Sequence, residues 1–270
     1  MDLGTQTNQT PTAARVVSLY RHPVKGFTPE ALPQARLQAG QHFPCDRRWA
    51  IELGPSGYAP ESPTYLKKTS FTVLANRPAL AALQTSLDEQ QRRLTVTPPA
   101  GARFSAQLDD ADGRHAFATW LSNFLGETDP GRPLRVIEST AGYRFMDDAE
   151  GHVSMVNLAS LRQLGARLGL EIDPLRFRAN IYVDGWSPWS ELDLAPGTEI
   201  SLGGVKLRTV KPIKRCVATH VNTRTGQRDL DIVPSLMRTY GHPFCGVYLS
   251  VLTGGLLKPG DPAVAIPPGG

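Results

Sequence analysis

The sequence has no long hydrophobic run and no leader-like start, and both absences bear on where the protein works. No stretch approaches the roughly 18 to 20 consecutive apolar residues that span a bilayer. The opening residues, MDLGTQTNQTPTAA, lack the basic region and apolar core of a secretory signal. We therefore expect a cytoplasmic protein with no membrane partner and a polar, flexible tail over residues 1–14.

Cysteine is scarce as well. The chain has three, Cys45, Cys216 and Cys245, which are odd in number and lack the spacing of a disulfide framework. This pattern favours reduced thiols in a reducing compartment. Cys45 and Cys245 are expected to be packing residues, whereas Cys216 has unusual neighbours.

Excess charge is small. Lys and Arg number 29 against 25 Asp and Glu, which gives a formal net charge of +4. A nucleic-acid surface normally needs a concentrated basic face with aromatic residues, so we expect no nucleic-acid partner and favour an anionic ligand. A chain of 270 residues lies between one large domain and two modest ones.

Short β-prone segments, separated by turns rich in Gly and Pro, account for most of the chain. The segments Leu83–Leu87 and Leu94–Thr97 are expected to pair as a hairpin, and AVAIPPGG to end the chain as a last strand and a frayed terminus. Further strands are predicted to start near Arg15, Arg36, Trp49, Leu134, Arg178, Ile200, Val205 and Cys245. Many short strands with few helices predict a β-rich α+β fold.

Two helices are predicted from apolar periodicity. The first covers residues 114–125, with Asp112 as its cap and Gly126 as its stop. The second follows Asn157 and stops at Gly169. Asn157 is a candidate N-cap, and the free N–H groups of a helix start also suit an anion.

One segment gathers cations around a thiol. Between Thr209 and Arg228 there are five basic residues and no carboxylate, with Cys216 near the middle. Nearby cations lower the pKa of a cysteine, which favours the thiolate that attacks electrophiles or binds soft metals. A lone cysteine on an apolar strand is also commonly a buried small hydrophobe, so both interpretations remain open. The cations are Lys211, Lys214, Arg215, Arg224 and Arg228.

The order of six motifs resembles a known family. LYRHPVKG, DRRW, FRANIYVDGW, KRCVATHVNTRTG, FCGVYLSV and PGDPA follow one another as in the MOSC family, the domain found at the C-terminus of molybdenum cofactor sulfurases. The preceding part resembles the N-terminal domain of bacterial YcbX-like proteins and of the mitochondrial amidoxime-reducing component. The resemblance implies two interleaved β-barrel-like domains over residues 15–133 and 134–267, with a cleft that holds the molybdenum cofactor.

The resemblance also implies roles for particular residues. Cys216 would be the protein ligand to molybdenum. Arginine suits the cofactor phosphate because a guanidinium can donate two parallel hydrogen bonds. The cofactor-binding residues implied in this way are Lys25, Arg47, Asn157, Arg178, Asn180, Lys214, Arg215 and Thr219. Gly26 departs from the family, which often has Ser after the motif lysine.

The implied activity is an oxidoreductase that reduces the N–O bond of small N-hydroxylated substrates. No cysteine quartet for an iron–sulfur cluster follows the domain, so electrons would come from a separate donor protein. His22, His220 and His242 are candidate proton donors. Trp186, Trp189 and Glu191 are candidates for the substrate side, although packing roles are also open for the tryptophans.

Two alternatives remain open. The protein could be a non-enzymatic carrier of sulfur, as a persulfide on Cys216, or of the cofactor itself. Pyridoxal phosphate is associated with the family through its sulfurase relatives, but nothing in this sequence resembles a complete pyridoxal-dependent domain. A zinc site of Cys216, His220, His242 and Cys245 is the other alternative. Extended residues four apart lie about 13 Å from each other, too far for two ligands of one zinc ion.

Overall fold

A computed structural model describes residues 13–127, 133–149 and 152–266. Over these residues the chain forms fifteen strands and three α-helices, which confirms a β-rich α+β fold. Parts of the predicted tail, of the linker near residue 130 and of the frayed terminus lie outside the described residues.

The strands, in chain order, are β1 Arg15–Arg21, β2 Glu30–Leu32, β3 Ala35–Leu37, β4 Trp49–Leu53, β5 Gln84–Asp88, β6 Arg93–Thr97, β7 Phe104–Gln107, β8 Leu134–Glu138, β9 Val153–Asn157, β10 Ile181–Asp184, β11 Glu199–Leu202, β12 Val205–Lys214, β13 Phe244–Thr253, β14 Gly255–Leu257 and β15 Ala263–Ile266. The helices are α1 Ala111–Leu125, α2 Leu158–Leu168 and α3 Ile232–Tyr240.

An eight-stranded sheet forms the centre of the molecule, in the order β15-β11-β12-β13-β9-β10-β1-β2. β9 and β10 are parallel and the other neighbours are antiparallel. Met155 of β9 pairs with Val247 of β13 on one side and with Ile181 of β10 on the other. All three side chains are fully buried in one core cluster, so the middle of the sheet is anchored by apolar packing.

Strands from the two predicted domains pair with each other. β1 and β2 complete the large sheet beside β10, β3 pairs with β14, and β4 pairs with β8. The predicted interleaving of two β-rich parts is therefore confirmed. The division into residues 15–133 and 134–267 stays a prediction, because sheet pairing crosses it three times.

The predicted hairpin is confirmed as β5 and β6, and β7 extends it to three strands. Both predicted helices are also present, and α2 is capped by the Asn157 side chain, which accepts from the Ala159 N–H. The cap predicted for α1 was wrong: Asp110 accepts from the Gly113 N–H, and Asp112 lies in the first turn. The helix begins at Ala111 and not at residue 114, because Asp110 caps it instead of Asp112.

Two short 3-10 turns lie beside β10 and β12, and the second replaces a segment that was treated as extended. Pro174–Phe177 precedes β10 and ends at Arg178, whose φ of 53° is left-handed. Val217–His220 follows Cys216 directly. Arg178 and Cys216, which the sequence singled out, lie directly beside these turns and outside the strands. None of the helices that the structure describes is long and apolar enough to cross a membrane.

Candidate functional site

Cys216 lies where β12 ends and the Val217–His220 turn begins. Its carbonyl accepts hydrogen bonds from the backbone N–H of Thr219 at 3.0 Å and from the Thr219 hydroxyl at 2.9 Å. The thiol is half-buried and faces a cavity of about 30 Å³. Lys25, Lys68, Asp147 and Arg178 line the same cavity. Thr219 therefore shapes the turn that presents the thiol.

Lys25 reaches this cavity because the chain turns sharply after β1. Gly26 has a φ of +88°, and a Cβ on it would lie 2.4 Å from the carbonyl oxygen of Thr72. The close approach requires glycine at this position. Lys25 is 2% exposed, and its ammonium donates to the Phe145 carbonyl at 2.9 Å and to the Asp147 carboxylate. Burial lowers the pKa of Lys25, and the Asp147 charge opposes that shift.

Asp147 belongs to the segment between β8 and β9. Its side chain is 48% exposed and forms an ion pair with Lys25. Burial would raise the pKa of this carboxyl, but Lys25 and Arg47 hold it well below its usual range. Asp147 is thus ionised at neutral pH and neutralises part of a cationic cleft.

Arg47 and Arg178 both adopt left-handed backbone conformations, with φ of 47° and 53°. Such conformations are uncommon outside glycine and cluster at functional sites. Arg47 donates to the Arg178 carbonyl at 3.2 Å and pairs with Asp46, while Arg178 donates to the Phe27 carbonyl at 2.7 Å. Burial, followed by the nearby Arg47 charge, lowers the pKa of Arg178 to about 10. The fold therefore holds two like charges close together beside the cavity.

Lys68 was missed by the sequence analysis. It lies in a 3-10 turn, Lys68–Ser70, and its side chain interacts with the Cys216 thiol. Burial would lower the pKa of Lys68, but Cys216 raises it above its ordinary value through charge and hydrogen bonding. No local pattern distinguishes Lys68 from the adjacent Lys67, because only the tertiary fold brings this turn to Cys216.

The cations flanking Cys216 in sequence point elsewhere. Lys211 pairs with Asp148 at 3.0 Å, and Lys214 is exposed at the end of β12. Arg215 donates through Nε and Nη2 to the Cys245 carbonyl and through Nη1 to the Phe177 carbonyl. Arg215 thus ties β12 to β13 and to the turn before Arg178.

Asn157 and Asn180 are fully buried and their amides are engaged by the protein. Asn180 accepts from the N–H and hydroxyl of Ser154 and donates to the Tyr20 carbonyl. Asn157 caps α2 and donates to the Ser187 carbonyl and to Glu191. These contacts stabilise β9, β10 and the start of α2, and the cofactor role of both residues stays a prediction.

Among the candidate proton donors, His22 is wrong for the folded protein. It is fully buried beside Asp46, and burial, followed by Arg178 and Arg47, lowers its pKa to about 3. The imidazole is therefore neutral at physiological pH. His220 accepts from the Val233 N–H at 3.2 Å, and His242 accepts from the Phe244 N–H at 3.2 Å.

Glu191, a candidate for the substrate side, is instead buried under α2, where it accepts from the Ser160 hydroxyl at 2.8 Å. The zinc alternative gains no support, since the described residues hold no group of three or more His, Cys, Asp or Glu placed to bind a metal ion. Burial also raises the pKa of the Cys245 thiol to about 12.

The model described as MOSC domain matches residues 142–264, and the model described as MOSC N-terminal beta barrel domain matches residues 13–128. The chain belongs to the MOSC family. The family resemblance carried by the six motifs is confirmed.

Similar proteins include two kinds of MOSC relative. Molybdenum cofactor sulfurase of Drosophila grimshawi is 32% identical over 88% of this chain and 32% of its own length. The sulfurase of Drosophila willistoni is 30% identical over 54% of this chain and 18% of its own length. This MOSC chain thus spans about a third or less of these sulfurases. Mitochondrial amidoxime-reducing component 1 of Mus musculus is 26% identical over 92% of this chain and 81% of its length.

Among solved structures, the YUAD protein from Bacillus subtilis is 14% identical and covers 93% of this chain and 94% of its own, with a TM-score of 0.44. YiiM from Geobacillus stearothermophilus is 20% identical and covers 44% of this chain and 56% of its own, with a TM-score of 0.36. The family models and the named relatives together associate this MOSC protein with the molybdenum cofactor at the level of the family.

The residues around Cys216 fit an anionic cofactor that takes a thiolate ligand. A thiol is the donor that suits a thiophilic metal, and Lys25, Arg178 and Lys68 supply positive charge at the same cavity. The cavity volume of about 30 Å³ is that of roughly one water molecule. A pterin needs more room than this cavity offers, so the fit lies in the donor atom and the charges and not in the volume.

Proposed function

We propose that this protein binds the molybdenum cofactor in the Cys216 cleft and reduces N-hydroxylated small molecules. The observation that supports the proposal most is convergence: Lys25 and Arg178, which are 153 residues apart in the sequence, line one cavity with Cys216. The Arg47 guanidinium donates a hydrogen bond to the backbone carbonyl of Arg178. Burial and nearby cations lower the pKa of both Lys25 and Arg178, so holding the two charges beside one cavity costs free energy that a bound anion would offset.

The residues present would hold the group as follows. Cys216 would ligate the metal, and Lys25, Arg47 and Arg178 would bind the phosphate. Arg215 and Thr219 keep the Cys216 turn in place through the backbone carbonyls they contact. When bound, the cofactor supplies two-electron oxygen-atom transfer. Lys68 keeps a positive charge beside Cys216 and would bias the site toward an anionic or electron-rich oxygen.

The overall reaction converts an N–OH group to N–H and releases water. It consumes two electrons and two protons, and we propose that a separate donor protein supplies the electrons. Burial lowers the pKa of His22 to about 3, so near neutral pH this residue is a neutral imidazole and not an acid. We propose solvent beside the half-exposed Asp147 side chain as the proton source.

The decisive experiment pairs composition with turnover. Freshly purified protein is analysed for molybdenum and pterin, and reduction of an amidoxime is measured with a chemical electron donor. Cys216→Ser should lose metal and reduction together, whereas Cys45→Ser, a half-buried thiol outside the cavity, should keep both. Full reduction by Cys216→Ser with normal metal content would refute ligation by this thiol.

A sulfur carrier is a second candidate, favoured by the small size of the cavity. A space of about 30 Å³ beside Cys216 suits one extra sulfur atom, and the adjacent Lys68 would stabilise a persulfide anion. Incubation with a cysteine desulfurase and cysteine, followed by intact mass measurement, tests this function. One added sulfur on wild type and none on Cys216→Ser supports it, and wild type without added sulfur argues against it.

A further inference from the structure

Two exposed side chains are connected to residues that line the Cys216 cavity: Val217 follows Cys216 in the chain, and the Tyr65 phenol donates to the backbone carbonyl of Asp147. Tyr65 is 47% exposed and Val217 is 46% exposed. Tyr65 also interacts electrostatically with Lys68, the partner of Cys216. Single exposed apolar residues are ordinary on protein surfaces. We call the exposed side chains of Tyr65 and Val217 the apolar lip of the Cys216 cavity.

The ring of Tyr65 is exposed, yet its tip is fixed. The phenol donates to the carbonyl oxygen of Asp147 at 2.9 Å. Burial, together with the charges of Asp147 and Asp148, raises the pKa of Tyr65, so the hydroxyl stays a donor at neutral pH. An exposed ring held at its far end presents a preorganised flat face, which lowers the entropy lost when another ring stacks on it.

The charges beside the lip define what approaches it. Asp147 is ion-paired with Lys25, and Asp148 is ion-paired with Lys211 at 3.0 Å. Each of these two carboxylates is therefore paired with a lysine. A neutral planar molecule can cover Tyr65 without stripping an unpaired ion of water. A compact molecule offers less surface to stack on the ring.

We infer that Tyr65, with Val217 beside it, is a specificity-determining platform that favours planar, ring-bearing substrates over compact ones. The identity of the reacting group rests on the proposed reduction of N-hydroxylated molecules. The preference for ring-bearing substrates rests on Tyr65 and Val217 alone. The ring of the substrate stacks on Tyr65 while its N–OH group points toward Cys216.

The test compares an aromatic and a compact substrate, benzamidoxime and hydroxylamine. Tyr65→Ala should lower the ratio of kcat/KM for benzamidoxime over that for hydroxylamine by about three- to tenfold, the range expected for one stacking contact. The change should appear in KM rather than in kcat. Tyr65→Phe keeps the ring but removes the bond to Asp147, so its ratio should lie between those of Tyr65→Ala and wild type.

Val264→Ala is the matched control, because Val264 is 53% exposed on β15 and does not line the cavity. It should leave the substrate ratio at the wild-type value. An unchanged ratio in Tyr65→Ala, or an equal loss in Val264→Ala, would overturn the platform.

A binding measurement separates this inference from the proposed function. Calorimetric titration of purified protein with benzamidoxime should give an affinity that falls about three- to tenfold in Tyr65→Ala. If wild type reduces neither substrate but shows this difference, the proposed activity fails and the platform stands. If wild type does not bind benzamidoxime, or binds it no better than Tyr65→Ala does, the platform is refuted.

Discussion

Asp147 places a negative charge among cations, and its effect on ligand binding can be measured. Because this ionised carboxylate neutralises Lys25, it competes with any anion that approaches the cleft. Asp147→Asn should tighten binding of inorganic phosphate by about fivefold, as expected when a half-exposed ion pair worth about 1 kcal/mol is removed. Isothermal titration of the purified protein measures the change.

Asp148→Asn is the neighbouring control, because Asp148 pairs with Lys211 and does not line the Cys216 cavity. It should change phosphate affinity less than Asp147→Asn does. Weaker phosphate binding by Asp147→Asn would show that this carboxylate helps to build the site instead of competing for it.

His22 makes stability depend on pH. Its pKa is lowered to about 3 in the fold, whereas an unfolded histidine takes up a proton near pH 6.5. A lowered pKa contributes stability above pH 6.5 that is lost as the pH falls toward 3, with a slope of up to about 1.4 kcal/mol per pH unit. Between pH 7 and pH 5 the wild type should therefore lose about 2 kcal/mol more than His22→Gln does.

Urea unfolding at both pH values gives these differences. His115→Gln, an exposed position on α1, serves as the control and should keep the wild-type slope. Equal slopes in wild type and His22→Gln would mean that His22 is protonated inside the fold.

Residue roles could be predicted only where a motif or charge pattern marked them. The motifs singled out Lys25, Arg178 and Cys216, which the fold brings to one cavity. Lys68 and Asp147 line the same cavity, but they lie in a short 3-10 turn and in a loop, where no periodic pattern marks them. His22 was misjudged because burial, which sets its protonation state, cannot be read from neighbouring residues.

At the scale of elements, the start of α1 offers a clean comparison between two aspartates. Asp110 accepts from the Gly113 N–H at 2.6 Å, whereas Asp112 lies within the first turn. Asp110→Ala should lower the free energy of unfolding by about 1 kcal/mol through loss of the cap. Asp112→Ala loses only a helix-dipole interaction of roughly 0.3 to 1 kcal/mol. Urea titration of both variants measures the order, and a larger loss in Asp112→Ala would contradict the capping assignment.

Most strands and helices were predictable from the sequence because alternation and apolar periodicity reflect local burial. α2, for example, starts after Asn157 and ends at Gly169, as the pattern predicts. The ends of β10 and β12 were not predictable in the same way. Arg178 and Cys216 lie in irregular backbone. Arg215, the neighbour of Cys216, donates to the carbonyls of Phe177, which precedes Arg178, and of Cys245, and so ties the two segments together. That contact joins residues distant in sequence and leaves no local signal.

At the scale of the whole molecule, interleaving should prevent the MOSC part from folding alone. Without residues 1–133, β10 loses β1, β8 loses β4, and β14 loses β3. The core also loses Val16 and Leu19, which are buried against strands of the second part. We expect the fragment 134–270 to show no cooperative thermal unfolding by circular dichroism.

Co-expression with the fragment 1–133 should restore a cooperative transition, because both halves of each paired sheet are then present. A cooperative transition of 134–270 alone would show that the second part is independent of the first. The sequence does not predict these pairings in detail, since it carries no signal that β1 lies next to β10, more than 150 residues later in the chain.

The position of β13 has a consequence for biosynthesis. This strand lies between β12 and β9 in the interior of the large sheet, although it is among the last strands of the chain to be made. A growing polypeptide cannot join the two halves of that sheet until β13 has left the ribosome. A ligand that needs the finished Cys216 cleft can therefore be bound only once β13 has been made and has joined β12 to β9.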